Sequence, residues 1–425
     1  MSNGDRRASL ESDAARELGV WSLLALGING IVGVGIFFTP NLVAALVPGR
    51  AGLFAYALTL LALLPVAMTY ARLGARFDRD GGPYVWARAA FGETTAFLVG
   101  FVAYASAVLS TAAVIAGLGE YTAPLLGLGA DKKPFAVACA LAFGAIASSG
   151  LKPSARVWSS LTVLKLVPLF LLVGVFLLGS HSVAAAPRPT LPVSWSRAVL
   201  LIVFPMQGFE IVPVPGSHVR GASRAIPIAT IGSLVLCAGL YALLHLTCVD
   251  AVPALTTQDT PLIAAAHALG GAQLASLVSA GTNISAIGIA FGMMAMTPRY
   301  LAALEAGGSQ NALIALETRH HVPRRALFAT LVLVVVLVSV GALSRLFVLS
   351  SVAVLFQYSV SVLALCVLAL RRRSGLAPRD AWVAPFALVA LAIVARAVER
   401  AELLVMSGIL LVAVLLWFGR ARLFR

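Results

Sequence analysis

Long apolar runs, each closed by glycine, proline or charge, recur along the whole 425-residue chain. They fall at about 19–46, 51–71, 92–120, 134–149, 157–179, 196–216, 227–249, 271–296, 326–341, 346–370, 382–396 and 402–419. A helix rises 1.5 Å per residue, so ~20 apolar residues match the hydrocarbon core of a bilayer. The pattern predicts an all-α membrane protein with 12 transmembrane helices. Inside lipid the backbone has no water to bond, so a crossing must be helical unless it lines a cavity.

Two of the runs suit an unbroken helix poorly. Span 1 carries Gly27, Gly30, Gly33 and Gly35 in mid-crossing. Each glycine costs about 1 kcal/mol relative to alanine inside a helix. The cluster marks either close packing of small residues or a helix that stops and restarts. Span 6 reads VFPMQGFEIVPVPG from Val203 to Gly216, with Pro205, Pro213 and Pro215 and a carboxylate, Glu210, at membrane depth. Three prolines remove three backbone donors and clash with the preceding turn, so a break is expected.

These two spans stand five apart, and interrupted segments at matching places of two halves point to inverted repeats with a solute held at the midplane. Residues 19–180 and 196–370 would be the two repeats, 382–419 two peripheral spans, and 1–18 a polar tail. Amides opening a half-helix favour a carboxylate, and carbonyls closing one favour an ammonium. Together they describe a site for a zwitterion such as an α-amino acid.

Composition supports the membrane assignment. The chain is 60% hydrophobic and 11% charged, against roughly 45–50% and about 25% for a soluble domain. The net charge of +14 follows from 31 Lys and Arg against 17 Asp and Glu. With a cytoplasmic amino terminus, 22 of the 31 fall in inside segments, 8 outside, and Lys165 within span 5. The positive-inside rule then places both termini in the cytoplasm and accounts for the charge without nucleic acid. Cys139, Cys237, Cys248 and Cys366 sit in apolar runs, with no metal-ligand spacing. No dinucleotide, P-loop or HExxH motif occurs, so neither cofactor nor metal is expected.

Two ionisable groups lie deep. Lys165 is about eight residues into span 5, where burial disfavours the charged form, so it could load and release a proton. The alternative is a permanently charged strut pinned to span 1 carbonyls. Glu210 reads either as a cap for freed amides or as a gating and relay group. The polar set Ser279, Thr282, Asn283 and Ser285 in span 8 reads as packing hydrogen bonds or site lining. His320 and His321 read as solvated loop residues, and Trp86 and Arg88 as anchors at a membrane face.

The residues also resemble the amino acid/polyamine/organocation superfamily of permeases. The similarity lies in LGINGIVGVGIFFTPNLVAAL (Leu26–Leu46), GGPYVWARAAFG (Gly81–Gly92, resembling the loop between spans 2 and 3), GLKPSARV (Gly150–Val157), GFE (Gly208–Glu210) and SRAIP (Ser223–Pro227). The resemblance implies that the backbone of Gly33, Val34 and Gly35 binds a substrate carboxylate. Carbonyls of Ile31, Phe204 and Gln207 would take the amino group beside Gly208, with Phe204 an aromatic gate. Lys165 would stand where sodium-coupled relatives hold their ion. Two departures are GVG in the first motif, where Val34 adds bulk, and Gly216–Ala222 after span 6, which lacks the usual acidic and Lys-Asn-Pro residues.

The expected function is a secondary active transporter of neutral amino acids in a prokaryotic plasma membrane, coupled to protons and acting as monomer or homodimer. Amino acid or amine exchange is the alternative within the class. A channel or a polytopic membrane enzyme are alternatives outside it.

Overall fold

A computed structural model describes residues 18–77, 82–128, 132–149, 155–179, 188–215, 219–306 and 323–423. The tail, Gly150–Ser154, Gly216–His218 and the His320–His321 pair fall outside them. The described residues are helical apart from turns and one parallel bridge between Leu18 and Val219. In order they form α1 (Val20–Ile31), α2 (Gly35–Ala44), α3 (Gly52–Gly74), α4 (Pro83–Phe91), α5 (Glu93–Leu125), α6 (Lys132–Ser148) and α7 (Ala155–Leu178). There follow α8 (Trp195–Met206), α9 (Ala222–Ala251), α10 (Pro261–Ala306), α11 (Arg324–Val340), α12 (Leu343–Leu370), α13 (Ala384–Ala395) and α14 (Arg400–Leu423).

Helix occupies each of the twelve apolar runs. Among the described residues 7 helices are long and apolar enough to cross a membrane, or 8 when the bent pair α1–α2 counts as one span. The others are shorter than a full crossing, as in α8, or have ends outside the described residues. Two elements depart from expectation. The GGPYVWARAAFG segment is not a loop: Pro83 sits in the first turn, where its missing N–H costs nothing, and α4 runs to Phe91. Trp86 within it is no interface anchor. It is fully buried, with its ring 5.0 Å from that of Tyr70. Arg88, by contrast, is half exposed and pairs with Glu93 across the turn into α5. The span 8 helix begins ten residues early and carries a kink at Gly270 and Gly271.

Helices five crossings apart lie side by side. α9 packs along α3, α10 along α5 and α11 along α6. The centre of the bundle is α5 and α12, whose most apolar windows are 72% and 67% buried. The corresponding value for α14 is 17%, so its outer surface is left to lipid.

One end of the bundle is tied by ion pairs. Arg50 grips Asp250 with two hydrogen bonds of 2.7 and 3.0 Å, joining the start of α3 to the end of α9. Lys132 reaches Glu120 at 2.8 Å and Asp259 at 3.4 Å. Arg197 on α8 holds Glu402 at 2.6 and 3.0 Å and also donates to the Ala397 carbonyl at 3.2 Å. Both partners of this last pair are largely shielded, their side chains 22% and 11% exposed. Hydrogen bonds to charged groups contribute about 1.5–3 kcal/mol. Glu402→Gln is therefore expected to lower the melting temperature of the solubilised protein by ~2–3 °C, read by intrinsic fluorescence. An unchanged melt would remove this pair from the account of stability.

Candidate functional site

Span 1 breaks where its glycines predict. α1 ends at Ile31, Val32 leaves the helix with ψ 86°, and α2 restarts at Gly35 with its axis turned by 51°. The carbonyls freed by the break are taken up by two distant side chains. Tyr241 on α9 donates to the Ile31 carbonyl at 2.9 Å, and its hydroxyl lies against the Gly33 amide. Lys165 on α7 donates to the Asn29 carbonyl at 3.0 Å, the Asn29 side-chain oxygen at 2.6 Å and the Val32 carbonyl at 2.6 Å. An ammonium has three donors and no acceptor, and this lysine, 1% exposed, places all three on oxygens. The other side of the break stays open. The amides of Val34 and Gly35 make no backbone hydrogen bond among the described residues, as the opening turn of a helix requires of its own carbonyls.

Span 6 breaks in the opposite sense. α8 closes with the Gln207 amide on the Val203 carbonyl at 2.9 Å. Gln207 is extended, Gly208 takes φ 125°, and the chain resumes as a single tight turn at Phe209–Ile211. The Gly208 amide donates to Glu210 Oε2 at 2.7 Å, and so does the Tyr358 hydroxyl at 3.0 Å. Glu210 thus sits as a cap on the break. Because the Gly208 amide is turned to this carboxylate, the Phe204 carbonyl loses its helical donor.

The two breaks meet backbone to backbone. A Cβ added to Gly208 would lie 2.4 Å from the carbonyl carbon and oxygen of Gly30 and 2.6 Å from the Ile31 nitrogen. At Gly33, by contrast, the nearest atom is Ile289 Cδ1 at 3.7 Å. The Val34 side chain is buried against the gap left by Gly117 on α5, so its bulk points toward that helix. One turn outward, Phe204 stacks on Phe347 with centroids 4.1 Å apart. On the other side, Tyr70 packs edge-on against Trp86, Phe209 and Tyr358 and accepts hydrogen bonds from Gln357 and Ser361.

The site residues expected from sequence thus come together: Ile31, Gly33, Val34 and Gly35 on one break, Phe204, Gln207, Gly208 and Glu210 on the other, with Lys165 behind the first. In span 8, Thr282 bonds the Val278 carbonyl, and Asn283 bonds the Ser279 carbonyl and Thr122, which are packing contacts. Sequence reasoning did not single out Asn29, Tyr241, Tyr358, Ser110 or Ser350. The available signal was a polar side chain in an apolar span, which alone does not separate a site residue from a packing one.

Residues 18–421 match the profile of a family described as amino acid permease. Human cationic amino acid transporter 4 is 25% identical over 327 residues, covering 71% of this chain and 51% of the relative. The chain therefore spans about half the length of that protein. The serine/threonine exchanger SteT of Bacillus subtilis is 26% identical over 297 residues, 67% of each chain. The branched-chain amino acid permease BcaP of the same organism is 26% identical over 387 residues, 81% of each.

The contact between the breaks can be tested directly. Gly208→Ala would force a methyl into the Gly30 peptide at a backbone angle that L residues rarely adopt. Ligand-induced thermal stabilisation of the purified protein is expected to disappear in this variant. Gly33→Ala meets no steric obstacle and is expected to leave the melting temperature of the unliganded protein within ~1 °C of wild type, a substitution with no packing penalty.

Proposed function

We propose that this chain, which belongs to the amino acid permease family, is a secondary active transporter that carries a neutral α-amino acid across the plasma membrane by alternating access, in symport with a proton. The observation that carries this reading is the meeting of two broken helices with opposite peptide groups free. Amides open α2 and carbonyls close α8. The substrate carboxylate would lie on the amides of Val34 and Gly35, and on that of Gly33 in competition with the Tyr241 hydroxyl. Its ammonium would lie on the Phe204 and Gln207 carbonyls and on the lone pair of Ile31 not used by Tyr241. Among the described residues at this depth, Lys165 and Glu210 are both engaged by protein groups. A charged substrate side chain would find no free partner there, which favours a neutral one.

Side-by-side packing of helices five apart supports two inverted repeats, residues 19–180 and 196–370, within twelve crossings. The Phe204–Phe347 stack would close the outer side, and the Glu210–Tyr358 contact would hold the inner turn of span 6 as gate or relay. Both termini would face the cytoplasm, a reading supported by the excess of Lys and Arg in the segments on that side.

Lys165 would supply the coupling. Protonated, it holds the end of α1 by three hydrogen bonds; a neutral amine has two donors and gains an acceptor, so at least one of them is lost. Proton release would thus loosen the α1 end and favour the opposite-facing state. Exchange of one amino acid for another is the alternative mode, supported by the name of the SteT relative.

Proteoliposomes test this. Wild-type protein is expected to show saturable uptake and counterflow, with uptake rising several-fold when the outside is acidified. Lys165→Ala is expected to lose the response to the imposed pH gradient. Full pH-driven uptake by that variant would leave the lysine a strut alone, and conductance without counterflow would indicate a channel.

A further inference from the structure

The side chain of Gln207 is not used by the peptide-group site. Its Nε2 donates to Ser110 Oγ on α5 at 3.2 Å and to Ser350 Oγ on α12 at 3.0 Å, and these two hydroxyls bond each other at 2.6 Å. The other end of the amide, Oε1, is buried with no hydrogen-bond partner among the described residues. Turning the amide over would place the oxygen on the serines and leave the NH2 alone instead. Either way one polar atom is stranded, and an unsatisfied buried polar group destabilises the state that holds it.

Position distinguishes this orphan from a packing defect. Phe204 and Gln207 are three residues apart across the last turn of α8, and Phe347 and Ser350 are three apart on α12. The two helices therefore face each other in layers: stacked rings, then the amide and hydroxyls one turn deeper. That deeper layer is level with the Gln207 carbonyl and with the break in span 6. A solute seated on the peptide groups would carry its side chain past aromatic rings to a single polar corner.

We propose that Gln207, with Ser110 and Ser350, reads a hydroxyl on the substrate side chain, so that the preferred substrates are small hydroxyl-bearing α-amino acids. A hydroxyl both donates and accepts, and so completes the amide in either orientation. An aliphatic side chain of the same size completes neither and strands the atom away from water. This inference rests on the reading of the site as an amino acid site.

The test uses full-length protein in proteoliposomes and compares threonine with valine, which differ by a hydroxyl in place of a methyl. Their competition against the best transported amino acid gives two apparent affinities and one ratio. Threonine is expected to be favoured at least tenfold over valine in wild type, and serine likewise over 2-aminobutyrate. In Gln207→Leu and in Ser350→Ala the threonine-to-valine ratio is expected to fall to about one. A wild-type ratio near one, or a ratio unchanged in Gln207→Leu, overturns the assignment while leaving amino acid transport in place. Failure of every amino acid to compete or to be taken up overturns both. The wild-type ratio decides even where a variant does not reach the membrane.

Discussion

Peptide groups that lipid cannot solvate govern this structure. Most of them are satisfied within helices, and the two broken spans bring some of those that are not to one place. There the chain opens two helices against each other and covers the exposed oxygens with Tyr241 and Lys165 from one side. Glu210 covers the exposed amide of Gly208 from the other. What remains uncovered is the opening amides of α2 and the carbonyl end of α8, and the proposed substrate contacts use those groups together with the second lone pair of the Ile31 carbonyl.

Glycine makes the arrangement possible by bringing main chain against main chain. Gly30 and Gly208 leave no space for a side chain between the two breaks. The prolines of span 6 act differently: Pro205 lies inside α8 and removes the donor for the Leu201 carbonyl, while Pro213 and Pro215 disfavour a regular helix after the break, and the Phe204 carbonyl is released by the Gly208 amide turning to Glu210. Glycine thus supplies both the close approach and the turned peptide that frees the Phe204 carbonyl.

Much of this was legible in one dimension because its causes are local. Apolar runs mark helices, Pro205 to Pro215 mark a break, and a spacing of five spans relates the two breaks. The α4 helix was missed because Pro83 and two glycines read equally well as a loop, and its stability comes from burying Trp86 against Tyr70. Trp86 itself misled, since an aromatic near a charged segment has the same sequence signature whether it faces lipid headgroups or the core. Asn29 and Tyr241 were invisible for another reason. Their partners lie 136 and 210 residues away, and no periodicity reports a contact of that kind. Lys165 was found by its charge, but only the geometry reveals that its three donors straddle the end of α1.

Arg197 gives span 6 a mechanical asymmetry. Its guanidinium fastens α8 to the start of α14 and to the turn before it, on the lipid-facing flank of the bundle. Below Gly208 the same span is held by its own cap and by one tyrosine. Torque applied to span 6 is therefore resisted at its anchored shoulder and released at a glycine elbow. The last two helices of the chain thereby become the fixed mount against which a lever could swing.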